Sequence, residues 1–274
     1  EGYPHNPVLT NRNKAPFIIQ GIGHGDLIQD KNGEWHIICL GFRQIHMWMT
    51  YHHLGRECFL IPVTFHEDGW FTAGNGTCEE SYELSGDFAQ LPLKTYTLEN
   101  IGHDICHLRH PHTENYSITK DKITLKGTDV TLDDVDSPTF AGVRQRDFDM
   151  DCSVSVSVSD GEGGLTVYSC ETEHYDLAVR KNGGGYEAIL RLNIGGIRHI
   201  EKAVQIPSGD AKLIIRSDSQ VYKFFVQSQD KEIPMGFAMS KYLSSEVCGG
   251  FTGTVIGMYA VKGSAEFTDL RISY

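Results

Sequence analysis

Apolar and polar residues alternate with a period of two along most of this chain. At 152–159, Val154, Val156 and Val158 fall on one side and serines on the other. That is the pattern of a strand with one dry face and one wet face. Residues 123–126, 165–168, 186–192, 212–216, 221–226 and 267–273 also predict strands. Turn signals separate them at Asp160-Gly161, Lys181-Asn182-Gly183, Pro207-Ser208-Gly209 and Lys262-Gly263. No helical stripe is long enough to carry a domain. Many short strands with turns at regular intervals predict an all-β sandwich or barrel. Residues 1–84 differ in texture, because all three tryptophans, Trp35, Trp48 and Trp70, fall there. Asp30-Lys31-Asn32-Gly33 reads as a turn before a buried strand, and Glu67-Asp68-Gly69 as a hairpin turn. The expected organisation is two domains, 1–84 and 85–274, with no Pro- or Ser-rich linker between them.

Composition narrows the function. The chain has 274 residues, is 40% hydrophobic and 22% charged, and carries a formal charge of −12. With no basic run, neither nucleic acid nor an anionic membrane is an expected partner. No apolar stretch reaches the ~20 residues that span a bilayer. The seven cysteines are scattered and include no Cys-x-x-Cys. They read as buried thiols in a reducing compartment rather than as a disulfide framework. The opening residues lack the positive and apolar regions of a secretory leader. A cytoplasmic location is therefore expected.

Six ordered segments carry a family resemblance. They are Asn6-Pro7-Val8-Leu9-Thr10; Gly23-His24-Gly25-Asp26-Leu27 with Trp35 and Leu40-Gly41-Phe42-Arg43; Leu54-Gly55-Arg56-Glu57-Cys58-Phe59-Leu60 with Asp68-Gly69-Trp70; Leu108-Arg109-His110-Pro111; the run from Ser137 to Arg146; and the run from Gly250 to Ala260. Together they resemble glycoside hydrolase family 43, in the β-xylosidase and α-arabinofuranosidase group. The resemblance implies the last one to two blades of a five-bladed β-propeller followed by a concanavalin A-like β-sandwich, or jelly roll. It implies an inverting glycosidase, in which an acid and a base stand roughly 6.5–9.5 Å apart to admit a water. The family's catalytic carboxylates match no position in this chain. The expected substrate is a xylo- or arabino-oligosaccharide. The expected partner is the other half of the propeller or a second copy of the chain. By the same resemblance Arg56 binds hydroxyls of the sugar, His24 lies near the propeller axis beneath the site, and Phe251 closes over it. Read without the resemblance, Arg56 is a surface partner of Glu57, His24 a satisfied core histidine, and Phe251 ordinary core. Two departures, Asp104-Ile105-Cys106-His107 and Cys58, leave the exact sugar open. A free-standing carbohydrate-binding or assembly module is the alternative reading.

Other chemistry is weaker. His103, His107, His110 and His112 cluster in sequence, but Gly102 and Pro111 confine any helix there, so a histidine-rich structural loop is favoured over a metal site. Asp147, Asp149 and Asp151 alternate and would share a face on a strand. A solvated face is the plainer reading, and a structural calcium ion the sharper one. No other cofactor is expected. Lys181-Asn182-Gly183-Gly184 lacks the ending of a phosphate loop. Ser159, Cys170 and His174 have no triad spacing.

Overall fold

The computed structural model describes residues 2–83 and 95–274. The chain divides into two compact units, Glu1–Leu91 and Pro92–Tyr274. The boundary expected after residue 84 lies outside the described residues.

The first unit is one antiparallel sheet: β1 (Ile19–Gln29), β2 (Trp35–Arg43), β3 (Glu57–Phe65) and β4 (Phe71–Ala73), in that order. The Asp30 carboxylate accepts from the backbone N–H groups of Asn32 and Glu34, both at 2.8 Å, and so fixes the β1–β2 turn. Ile19, Cys39, Ile61, Ala73 and Cys78 form a small core. Asn11 ties that core to the chain before it. Its amide donates to the carbonyls of Ile19 (3.1 Å) and Cys78 (2.7 Å) and accepts from the Cys78 N–H (2.8 Å).

The second unit is a two-layer sandwich. Its strands are β5 (Thr95–Thr97), β6 (Tyr116–Ile118), β7 (Ile123–Gly127), β8 (Thr139–Arg144), β9 (Met150–Val158), β10 (Glu162–Cys170), β11 (Glu173–Asn182), β12 (Gly185–Ile194), β13 (Ile197–Ile206), β14 (Asp210–Ser217), β15 (Val221–Ser228), β16 (Lys231–Met239), β17 (Val255–Val261) and β18 (Gly263–Ser273). A six-stranded sheet runs β13-β12-β11-β10-β17-β8. An eight-stranded sheet runs β16-β15-β14-β9-β18-β7-β6, with β5 also on β18. Val154, Val156, Leu213, Phe224 and Phe267 of one sheet and Leu165, Leu177, Leu190 and Met258 of the other fill the space between them.

The valines of 152–159 face this core, as their alternation predicts. Lys181–Gly185 is the tight β11–β12 hairpin, with Asn182 opposite Gly185. The other three turns do something different. The β9–β10, β13–β14 and β17–β18 connections each carry the chain from one sheet to the other. Two of them touch, because a Cβ at Gly263 would sit 2.0 Å from the Asp160 carbonyl oxygen. Only glycine permits that approach.

The three alternating aspartates do not lie on one strand. Asp147 and Asp149 precede β9, and only Asp151 lies on it, so the three acids do not share a strand face. Asp147 accepts from the Phe148 N–H (2.8 Å), and Asp151 pairs with Arg216 (3.3 Å). Each local bond turns a carboxylate to its own partner.

Candidate functional site

The excursion from the end of β2 to the start of β3 builds the first part of the site. The Ile45 N–H donates to the Tyr51 carbonyl (2.8 Å), and the Met49 N–H to the His46 carbonyl (2.8 Å). The resulting turn holds Trp48 out at its tip. The His52 ring then stacks on Phe42, with centroids 3.9 Å apart. His53 and Leu54 go inside. Burial, with the neighbouring His52 and Arg43 charges, drives the His53 pKa down to about 3, so it stays a neutral imidazole at working pH.

Gly55 has φ +73°, a left-handed conformation that lets the chain reverse before β3. Arg56 therefore leaves the turn at the surface. Glu57 is not its partner. Gly41 lies opposite Glu57, which makes Arg43 its diagonal neighbour on the same sheet face. Arg43 donates to both Glu57 oxygens, Nε to Oε2 at 2.9 Å and Nη2 to Oε1 at 3.0 Å. A two-pronged pair of this kind fixes both side chains. The surface-pair reading of Arg56 with Glu57 thus loses its carboxylate to Arg43.

His24 lies on β1, where the pairing with β2 slips between Gly23 and Asp26. It is exposed, not a core histidine, and has φ +51°. A non-glycine residue in this region costs about 1–3 kcal/mol, and such residues gather at functional sites.

Phe251 belongs to the sandwich. It follows α1 (Ser245–Cys248) in a loop whose Gly249 and Gly250 have φ +71° and +75°. The loop is fixed on both sides. Before it, Cys248 Sγ lies 3.0 Å from Ser169 Oγ, which donates to the Leu243 carbonyl. After it, the buried Thr254 hydroxyl donates to Gln145 Oε1 (3.0 Å), as does Tyr222 (2.6 Å). Between these anchors Phe251 stands 59% exposed, which rules out the ordinary-core reading.

Sequence reasoning missed the sandwich's buried charge network. His174 lies between two carboxylates, Nδ1 at 2.8 Å from Asp176 and Nε2 at 3.2 Å from Asp133. Burial opposes its charge, but Asp176 and Asp133 outweigh it and raise the His174 pKa to about 9. Burial likewise opposes ionisation of Asp176, yet His174, Arg191 and the Thr166 hydroxyl hold its pKa at about 2. Arg191 extends the network to Glu162 and Tyr259. An imidazolium with both nitrogens on carboxylates has no lone pair to take a proton. This His–Asp set is therefore an ionic clamp on the loop carrying Asp133, not a catalytic pair. Cys170 Sγ donates to Glu173 (2.8 Å), so it completes no triad either.

The histidine-rich segment behaves as a loop. Gly102–Asp104 is a single 3-10 turn, His107 Nδ1 bonds the Phe140 carbonyl (2.9 Å), and the His110 and His112 rings are 6.4 Å apart. Among the described residues no three His, Cys, Asp or Glu side chains converge as metal ligands. No described helix is long and apolar enough to cross a membrane.

Comparison with known proteins fits this architecture. Residues 1–71 match the family described as glycosyl hydrolases family 43, and residues 94–271 the beta xylosidase C-terminal concanavalin A-like domain. A non-reducing end alpha-L-arabinofuranosidase of Bacteroides ovatus, BoGH43B, is 35% identical over 273 residues, covering 95% of this chain and 51% of its own length. A xylosidase/arabinosidase of Butyrivibrio fibrisolvens is 26% identical, covering 95% of this chain and 53% of its own. The solved Bacteroides ovatus structure titled xyloglucan PUL GH43B superposes with TM-score 0.89 at 33% identity, over 100% of this chain and 57% of that one. The chain thus spans about half the length of the curated relatives it matches. The single sheet of the first unit is one four-stranded blade of a propeller. The chain belongs to glycoside hydrolase family 43, in the group whose propeller is followed by a concanavalin A-like sandwich.

Proposed function

We propose that the chain forms part of an inverting exo-glycosidase that removes terminal β-xylosyl or α-arabinofuranosyl residues from xylo-oligosaccharides. In this reading Arg56 and His24 contact the sugar, Phe251 closes over it, and the catalytic carboxylates come from propeller blades outside these residues. The carrying observation is the 35% identity to an arabinofuranosidase over 95% of this chain. The exposed position of Arg56 just after Gly55 supports its role, since a planar fork matches paired sugar hydroxyls and never loses its charge. The exposed tip position of Phe251 supports its role as a cover. Large apolar side chains exposed on the blade (Leu27, Ile28, Ile38, Leu60 and Phe65) support further chain packing there. Buried thiols at Cys39, Cys78 and Cys152 support a cytoplasmic location.

The role assigned to Arg56 is to hold neighbouring hydroxyls of the terminal sugar through paired hydrogen bonds while the glycosidic bond breaks. Arg56→Ala in the enzyme supplied with its remaining blades is expected to cost about 2–4 kcal/mol in kcat/KM. An unchanged specificity constant overturns the role of Arg56. Proton NMR of the first-formed product tests the mechanism, with inversion at the anomeric carbon expected and retention contradicting it.

A further inference from the structure

One cleft of the blade is not used by these assignments. It lies between the segment before β1 and the turn after β2, has a volume of about 290 Å³, and is lined by Lys14, Phe17, Gln20, Gln44, Met47 and Trp48 among others. All of these residues belong to the first unit. The volume falls just below the range of drug-sized small-molecule sites, about 300–1,000 Å³. It suits one ring rather than an extended chain.

Two observations point to a ligand. Trp48 is 81% exposed, the most exposed tryptophan of the three. Its turn is set by the His46–Met49 bridge and by the Trp48 N–H donating to His46 Nδ1 at 3.3 Å, so the indole is presented by a built turn. Gln44 is the second. It is only 8% exposed, it lines the cleft, and its side-chain amide has no hydrogen-bond partner among the described residues. Such an amide is open to a bond from a ligand seated in the cleft. Gln20 differs. Its amide N–H groups are already spent on the Asn11 (3.0 Å) and Phe17 (3.2 Å) carbonyls, so it braces the wall.

The indole of Trp48, the apolar Phe17 and Met47, and an amide that can both give and take hydrogen bonds match one chemistry. A sugar ring offers a C–H face that packs on an aromatic plane and hydroxyls that both give and take hydrogen bonds. We infer that this cleft binds one ring of a neutral oligosaccharide, stacked on Trp48 and hydrogen-bonded to the Gln44 amide. The inference rests on the reading that the substrate is a xylo- or arabino-oligosaccharide. Net charge agrees, because a chain at −12 does not favour an anionic ligand.

The test is titration of the 274-residue chain with xylotriose, read by calorimetry and by tryptophan fluorescence. Saturable binding is expected, weakened at least tenfold by Trp48→Ala and at least threefold by Gln44→Ala. Trp48 is a surface residue, so its removal leaves the fold intact, and circular dichroism checks this. Saturation-transfer NMR on xylotriose should lose its ring-proton signal in the Trp48→Ala chain. No saturable binding, or equal affinity in the Trp48→Ala chain, overturns the inference. Trp48-dependent binding without turnover in the completed enzyme would sink the glycosidase reading alone. Turnover without binding by this chain would sink the cleft alone.

Discussion

The two units solve the problem of burying apolar surface differently. The sandwich closes on itself, and Tyr175, Tyr222, Phe224, Phe267 and Phe140 are fully buried within it. Among the described residues the blade has a core cluster of five buried side chains, and it leaves Leu27, Ile28, Ile38, Leu60 and Phe65 substantially exposed. The sandwich also satisfies its buried charges internally, through His174, Asp176 and Arg191. On the blade, His24, Arg56 and Trp48, all proposed to bind sugar, stand at the surface. A strand layer with two apolar faces needs neighbours on both, as propeller blades have. The comparison teaches that stability sits in one unit and the proposed sugar contacts mainly in the other.

Substitutions can break this comparison, beginning with the largest effect. Phe267→Ala should cost about 3–5 kcal/mol in urea unfolding, as expected for an aromatic removed from a closed core. A loss below about 1 kcal/mol would show that the sandwich core is not the stabilising element. His174→Ala should cost nearly as much, about 3 kcal/mol, since it leaves Asp176 buried without its main counter-charge. His174 also gives a pH signature. Its folded pKa is raised from 6.5 to about 9, so its stabilisation is full below about pH 6.5 and is lost as pH rises through about 9. Asp176 runs the other way. Its pKa falls from 3.8 to about 2, so its contribution holds above about pH 3.8 and is lost as pH falls through about 2. His174→Gln should flatten the decline between pH 6.5 and 9, and an unchanged profile would remove the clamp from the account.

The smallest expected effect sharpens the contrast. Leu27→Ser on the blade should change the stability of the isolated chain by no more than about 0.5 kcal/mol, as for other surface positions. The same substitution in the completed enzyme should cost more, because a neighbouring blade would then cover the site. Equal effects in both would argue that nothing packs on that face.

The sequence made the strands legible because their alternation is set by burial, as at Val154, Val156 and Val158. It could not say which sheet the next strand joins. A Gly-rich turn reads alike whether it closes a hairpin, as at Gly183-Gly184, or crosses between sheets, as at Gly161 and Gly263. The alternation of Asp147, Asp149 and Asp151 misled for a local reason: strand pairing begins only at Met150. Arg56 was visible through its Gly-Arg-Glu setting. The clamp on His174 was not, because Asp133 comes from a loop 41 residues away. His52-His53, just before Gly55, was a signal that could have been used. The Gln44–Trp48 cleft had none, since it depends on the fold of the turn after β2.

The most direct measurement is hydrolysis of 4-nitrophenyl β-xyloside and α-arabinofuranoside by the pure 274-residue chain, alone and then combined with the remaining propeller blades. The account predicts no turnover above background from the chain alone and clear turnover from the combination. Robust, Arg56-dependent cleavage by the chain alone would contradict it.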